Sequence, residues 1–171
     1  MSDIVALPQQ TESEIATLNA DGEVALHHDG SPPEVMRERI QALVRRMFDV
    51  PGAITEFPDD DVLEGGMYLR RIFIPKGQML AGKIHLQTCM NIVASGDITV
   101  LTEFGCRRLK AGYVGASRPG IQKIGVAHED TIFINVFRTD ETDMEKIEAQ
   151  LVCTSHDQIK TRMETLWPGD L

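Results

Sequence analysis

Between Met67 and Arg138 the chain breaks into short runs rich in β-branched and aromatic residues, each closed by a turn signal. The runs are Tyr68–Ile74, Met79–Ile84, Thr88–Ala94, Ile98–Thr102, Cys106–Leu109, Tyr113–Ser117, Gln122–Val126 and Thr131–Phe137. Between them stand Pro75-Lys76-Gly77, Ser95-Gly96-Asp97, Phe104-Gly105, Lys110-Ala111-Gly112, Pro119-Gly120 and Glu129-Asp130. Short strands at this spacing, with no helical pattern between them, predict an all-β sandwich or barrel over residues 67–138.

The flanks read differently. Residues 1–31 hold six carboxylates and no Lys or Arg, and their apolar residues show no lasting period. That composition predicts an acidic arm, either mobile or ordered against a neighbouring subunit or partner. Ser31-Pro32-Pro33-Glu34 is a helix start, with Ser31 as cap and Glu34 completing a capping box. Met36, Ile40, Leu43, Val44, Met47 and Phe48 form one apolar stripe, and Pro51-Gly52 stops the helix. Residues 32–66 are therefore an amphipathic helix and a connection. Within the connection, Pro58-Asp59-Asp60-Asp61 is a solvated acidic turn, since its spacing is not that of a calcium loop. After Arg138 helical steps return through Met144, Ile147, Leu151 and Val152. Ser155 and Gln158 offer a second capping box ahead of Ile159, Met163 and Leu166. Residues 139–171 read as a helical extension, with Trp167 as an anchor in a packed surface.

A net charge of −9 opposes general nucleic-acid binding, which needs a basic surface, and adhesion to an anionic membrane. No apolar run reaches the length of a bilayer span, and the N-terminus lacks the basic and apolar regions of a signal peptide. Three cysteines fit reduced thiols better than a disulfide framework. The pair His27-His28 lacks a third ligand in register. No nucleophile elbow, phosphate-binding loop or two-cysteine metal motif is present.

The stretch Gly77 to Gly96 carries a more specific pattern. Gly77 is followed by five residues, then Lys83-Ile84-His85, then Cys89 after three more, and Gly96 after a further six. These intervals resemble the first motif of the cupin superfamily, in which two His and a Glu stand where Lys83, His85 and Cys89 stand here. A second cupin motif is matched from Gly112: Gly120 fits, Pro119 lies one place off, and Lys123 and Ala127 hold the His and Asn positions. The resemblance implies a single cupin-type double-stranded β-helix, or jelly roll, carrying the N-terminal helix and the helical tail. Cupin enzymes usually bind a divalent ion through three His and one carboxylate. A lysine ammonium has no lone pair to give, so the quartet Lys83, His85, Cys89 and Lys123 is an incomplete shell.

Three readings of the quartet follow. In the first the site is lost and packed shut, with the lysines reaching water and Cys89 acting as a small hydrophobe. In the second Lys83, His85 and Lys123 clamp a small anionic molecule by charge-assisted hydrogen bonds, in a sequestering or counter-defence role or with Cys89 as nucleophile. In the third a divergent metal-dependent enzyme centres on His85. The expectation is the non-catalytic one, with no cofactor and no metal.

Arg71-Ile72-Phe73-Ile74-Pro75-Lys76-Gly77, Gly82-Lys83-Ile84-His85, Ile98–Glu103, His128–Thr131 and Thr139–Asp143 resemble small cupin-like proteins encoded by tailed bacteriophages. That resemblance implies a role in the virion or in the host cytoplasm during infection. Partners are then other copies of the chain in a homo-oligomer, other phage structural proteins, or a small anion. The arm, the helix and the tail are the expected interface builders.

Overall fold

A computed structural model describes residues 4–6, 13–55 and 60–159. Two five-stranded antiparallel sheets lie face to face as a jelly roll. One sheet runs in the order β1 (Ile4–Ala6), β6 (Met79–Ala81), β12 (Ile124–Ala127), β9 (Asp97–Thr102), β10 (Gly105–Lys110). The other runs β11 (Val114–Ser117), β8 (Cys89–Ser95), β13 (Thr131–Arg138), β5 (Met67–Ile74), β4 (Val62–Glu64). No strand pairing joins the two sheets among the described residues, so the expected barrel is an open sandwich. Each predicted strand overlaps an observed one. The run Met79–Ile84 is split, because β7 (Ile84–His85) leaves the sheet and pairs with β14 (Val152–Cys153) of the tail.

The two sheets differ in what covers them. In the second, burial alternates along β13, with Thr131, Phe133, Asn135 and Phe137 inward. In the first, Met79–Ala81 and Ile124–Ala127 are buried throughout. Their inward side chains meet Ile72, Val93 and Phe133 across the sandwich. Their outward ones, Met79, Ala81, Ile124 and Val126, pack under α1 (Pro33–Phe48) and the hairpin β2 (Ala16–Leu18)–β3 (Val24–Leu26).

Helix α1 buries Met36, Ile40, Leu43 and Met47, four residues on one stripe, each at most 1% exposed. At about 1.5–3 kcal/mol per buried side chain the stripe dominates this layer. Arg37 Nε also pairs with the buried Glu103 carboxylate at 3.2 Å. The helix opens at Pro33, one place after the expected first helical residue Pro32, and Ser31 does not cap it. The cap position is Pro32, without a side-chain bond, and Ser31 Oγ accepts from Arg39 at 3.2 Å. Gly52 at φ 80° follows its end.

Residues 13–31 are not a loose arm. Ile15, Ala16, Val24 and Leu26 are core residues, and the arm orders in cis on α1 and the first sheet. Its turn is held by the Asn19 side chain, which accepts from the amides of Asp21 (3.0 Å) and Glu23 (2.8 Å). In the tail, α2 (Met144–Leu151) is capped by Asp143, which accepts from the Lys146 amide, and buries Ile147 and Leu151. Met144 is exposed and Val152 belongs to β14. Residues 156–159 are helical; Gln158 reaches back to the Thr154 amide rather than to Ser155. Met163, Leu166 and Trp167 lie outside the described residues, as do Pro58 and Asp59 of the acidic turn. No described helix is long and apolar enough to cross a membrane.

Candidate functional site

The space between the sheets forms a two-part cleft. An inner part of only about 30 Å³, room for little more than a water molecule, is walled by Leu80, Lys83, His85, Lys123, Phe133 and Asn135. An outer part of about 250 Å³, reaching the gap between the edge strands β10 and β11, is lined by Asn91, Arg107, Tyr113, Ser117, Lys123 and Phe133. Lys123 and Phe133 belong to both. The alternation of β12 accounts for Lys123: Gly125 and Ala127 face inward, and so does the residue two places before them. Lys83 and His85, two apart, also face one side, as their spacing requires, and both are buried.

Each predicted residue has a defined partner. Lys83 is 7% exposed, and its ammonium pairs with the Glu148 carboxylate of α2. His85 Nδ1 lies 3.4 Å from Lys123 Nζ. Since the ammonium can only donate, that nitrogen is the acceptor and the imidazole is neutral. Burial, then the charges of Lys123 and Arg70, hold the His85 pKa well below 6.5. The ring meets Phe137 edge-on, with centroids 5.1 Å apart. Cys89 is fully buried and does not line the cleft. Its sulfur lies 3.3 Å from Met90 O and 3.5 Å from Asn135 Oδ1, acceptors that hold the proton on the thiol. Burial pushes its pKa up to about 11, against the opposing charge of Lys123. The structure thus brings Lys83, His85 and Lys123 together and sets Cys89 apart as an inert thiol.

Several further lining residues escaped the sequence reading. Arg107 and Leu109 share the inward face of β10, opposite Val100 and Ile98 of β9. The Arg107 guanidinium sits 5.8 Å from the centroid of the Tyr113 ring, near the cleft mouth. Asn91 Nδ2 donates to Ser117 Oγ at 2.7 Å. Asn135 completes the inner wall. The alternation with Leu109 was a usable signal for Arg107. Asn91 and Asn135 stand at inward strand positions where an apolar residue is the default.

The residues present do not fit a divalent ion. Lys83 and Lys123 offer cations, His85 turns a ring nitrogen to one of them, and the Cys89 thiol is far from deprotonation. No three His, Cys, Asp or Glu among the described residues converge on a metal position. The other histidines are spoken for structurally. His27 Nε2 bonds Thr17 Oγ1 at 2.7 Å, His28 Nε2 donates to Glu103 O at 3.0 Å, and His128 Nε2 bonds Thr99 Oγ1 at 2.7 Å. His156 Nε2 donates to Gly120 O and its Nδ1 accepts from Gln41 of α1. Neither part is lined by a carboxylate; Glu148 of α2 balances Lys83, and Lys123 and Arg107 are the other cations of the lining.

The sequence matches no protein-family model and no curated protein. Among solved structures, the chain is similar to a cupin-like protein from Thermotoga maritima, with 18% identity and a TM-score of 0.38. That match covers 43% of this chain and 57% of the other, less than two thirds of its length. An RmlC-like cupin family protein with a double-stranded β-helix fold from Methanocaldococcus jannaschii matches at 16% identity and TM-score 0.40, over 49% of this chain and 87% of that one. A putative acetylacetone dioxygenase from Methylibium petroleiphilum matches at 16% identity and TM-score 0.39, over 46% and 59%.

Proposed function

We propose that this chain is a non-catalytic cupin-type protein that binds a small anionic molecule between its sheets. The observation that carries the reading is the lining of the cleft. In a chain of net charge −9, Lys123, Lys83 and Arg107 line it together with Asn91, Asn135 and Ser117, and no carboxylate does. Lys123 and the amides supply donors for a carboxylate or phosphate in a low-dielectric setting, where charge-assisted bonds are strongest. The neutral His85 orients the Lys123 ammonium through Nδ1. With a protonated Cys89 and no metal shell, binding needs no bond-making step. The resemblance of residues 71–77, 82–85 and 98–103 to cupin-like phage proteins supports placing this binding in a virion or an infected cell. Assembly is the second reading, favoured by an uncovered sheet face.

The test is calorimetric titration of the full chain with phosphate, acetate and citrate, repeated on Lys123→Met. Saturable binding of one of these anions, weakened at least about tenfold (1.4 kcal/mol) in the variant, is expected. Binding that survives Lys123→Met unchanged, or the absence of binding by all three, removes the proposal.

A further inference from the structure

The outer part of the cleft has a polar end and an apolar end, and the strand register separates them. Along the inward face of β9 run Ile98, Val100 and Thr102, with Leu109 of β10 opposite Ile98 and Arg107 opposite Val100. On the other side Gly125 of β12 pairs with Val100, so Lys123, two residues earlier, stands one step further, toward Thr102. Across the sandwich, β11 ends at Ser117, which pairs with Cys89, whose thiol feels the Lys123 charge. Ser117 and Lys123 therefore share one end. Ser117 is 6% exposed, and its Oγ accepts from Asn91 Nδ2, yet its own O–H has no acceptor among the described residues. Val100, Leu109 and Phe133, each at most 8% exposed, wall the other end. Tyr113, four residues or about 13 Å of extended chain before Ser117, completes that wall. Its ring lies over Gly115, where an added Cβ would sit 2.1 Å from Oη, so only glycine leaves the ring this seat.

We infer that the anion taken here is a monocarboxylate whose apolar body is one aromatic ring on a short linker. The inference rests on the anion-binding reading above and names its ligand class. The carboxylate meets the Lys123 ammonium and accepts from the Ser117 hydroxyl, the donor left over at the buried end. The body lies against Val100, Leu109, Phe133 and the Tyr113 ring. Size sets one limit. The outer part holds about 250 Å³, the liquid volume of about eight waters at about 30 Å³ each. That is just below the range of about 300–1,000 Å³ typical of drug-sized ligands. The ligand reaches no deeper, because the inner part holds only about 30 Å³ and Ile98 Cδ1 presses on Gly125, 2.7 Å from where a Cβ would be. Charge sets the other limit. Citrate or phosphate would place further charges against apolar walls, where desolvation is costly. An apolar body gains free energy on the same walls.

Calorimetric titration of the full chain with acetate, benzoate and 3-phenylpropanoate tests this, with phosphate as the anion that has no body. 3-Phenylpropanoate is expected to bind at least about thirtyfold more tightly than acetate, with benzoate between them and a more negative heat-capacity change. Lys123→Met should weaken 3-phenylpropanoate at least about tenfold. Tyr113→Ala should cut its advantage over acetate at least about fivefold. A measurement on the unaltered chain guards against a variant that fails to fold: nuclear Overhauser contacts should join the ligand's ring protons to the Leu109 methyls and the Tyr113 ring. If acetate or phosphate binds through Lys123 while 3-phenylpropanoate binds no more tightly, the inference is overturned and the anion-binding reading stands. Ring contacts at side chains outside the cleft overturn it in the same way. If 3-phenylpropanoate binds equally well to Lys123→Met, or if none of the four anions binds, both are overturned.

Discussion

His85 provides the most quantitative check on the cleft. It is buried, and burial together with the Lys123 and Arg70 charges holds its pKa well below 6.5. In the unfolded chain the ring titrates near 6.5. As pH falls through that value the unfolded state takes up a proton that the folded state refuses, so the folded state loses stability. The contribution is therefore fully present above 6.5 and declines at about 1.4 kcal/mol per pH unit below it. Between pH 7 and pH 5.5 the loss from this one group is on the order of 1 kcal/mol, taking the folded ring as neutral throughout. His128, whose pKa is also lowered by burial and by Arg108, adds a slope of the same sign. The assay must therefore be differential. Urea unfolding of the native chain and of His85→Asn, at pH 7, 6 and 5.5, isolates the term. The Asn keeps an acceptor near the Nδ1 position and leaves a constant cost from lost contact with Phe137, which cancels in the comparison across pH. The native chain should lose on the order of 1 kcal/mol more than the variant over this range. Equal slopes would mean that His85 titrates freely and that the closed, cation-lined cleft described here is wrong. An anion bound beside Lys123 should reverse part of the shift, so that the Hε1 resonance of His85 titrates at higher pH with ligand than without.

Two further outcomes follow from the same coordinates. Gly77→Ala and Gly96→Ala should differ sharply, though both glycines have positive φ, 78° and 87°. At Gly77 an added Cβ meets nothing within 4 Å, and the cost is the backbone one of about 1–2 kcal/mol. At Gly96 it would sit 2.4 Å from Thr131 Oγ1 and 2.5 Å from Asp130 O, so chemical denaturation should show a loss at least about 2 kcal/mol larger. In thiol labelling of the native protein at pH 7.5, Cys89 should remain unmodified until urea opens the fold, while the partly exposed Cys106 and Cys153 react first. Modification of Cys89 at the rate of a peptide thiol would contradict its placement.

What could be read from the sequence follows from how local each signal is. The strands were legible because turn residues punctuate them and because one face of the second sheet alternates. Gly77, Gly96 and Gly112 marked turns that do require positive φ. The α1 stripe was legible for the same reason, since Met36, Ile40, Leu43 and Met47 repeat at helical steps. The hairpin at 16–26 was not, because only four short apolar side chains anchor it and its carboxylates dominate the composition. Its turn signal, Asp21-Gly22 after Asn19, was present but lay in a segment that composition marked as unstructured. At the site, the inward direction of Lys83, His85 and Lys123 agrees with the motif spacing. The partner of Lys83 does not follow from any spacing, since Glu148 is 65 residues away on a helix of the tail. The removal of Cys89 from the cleft is also non-local: Asn91 and Asn135 take its polar contacts, and only the pairing of β8 with β13 brings them together.

The charge distribution sets two opposing fields on any anion that approaches. The molecule as a whole carries −9, and at a Debye length of about 8 Å in physiological salt that repulsion is felt only close to the surface. Inside the cleft, Lys123 acts at short range with walls such as Phe133 and Val100 that keep the local dielectric low. Arg107 lies between the two regimes, at the mouth and stacked toward Tyr113. Under the proposed anion binding, Arg107 is the cation of the outer part alone and Lys123 the one shared with the inner part. On this account Arg107 governs the rate of entry and Lys123 the lifetime of the bound state. The two residues then have separable roles: added salt relieves the outer repulsion and so acts on entry, while the buried contact at Lys123 is screened much less.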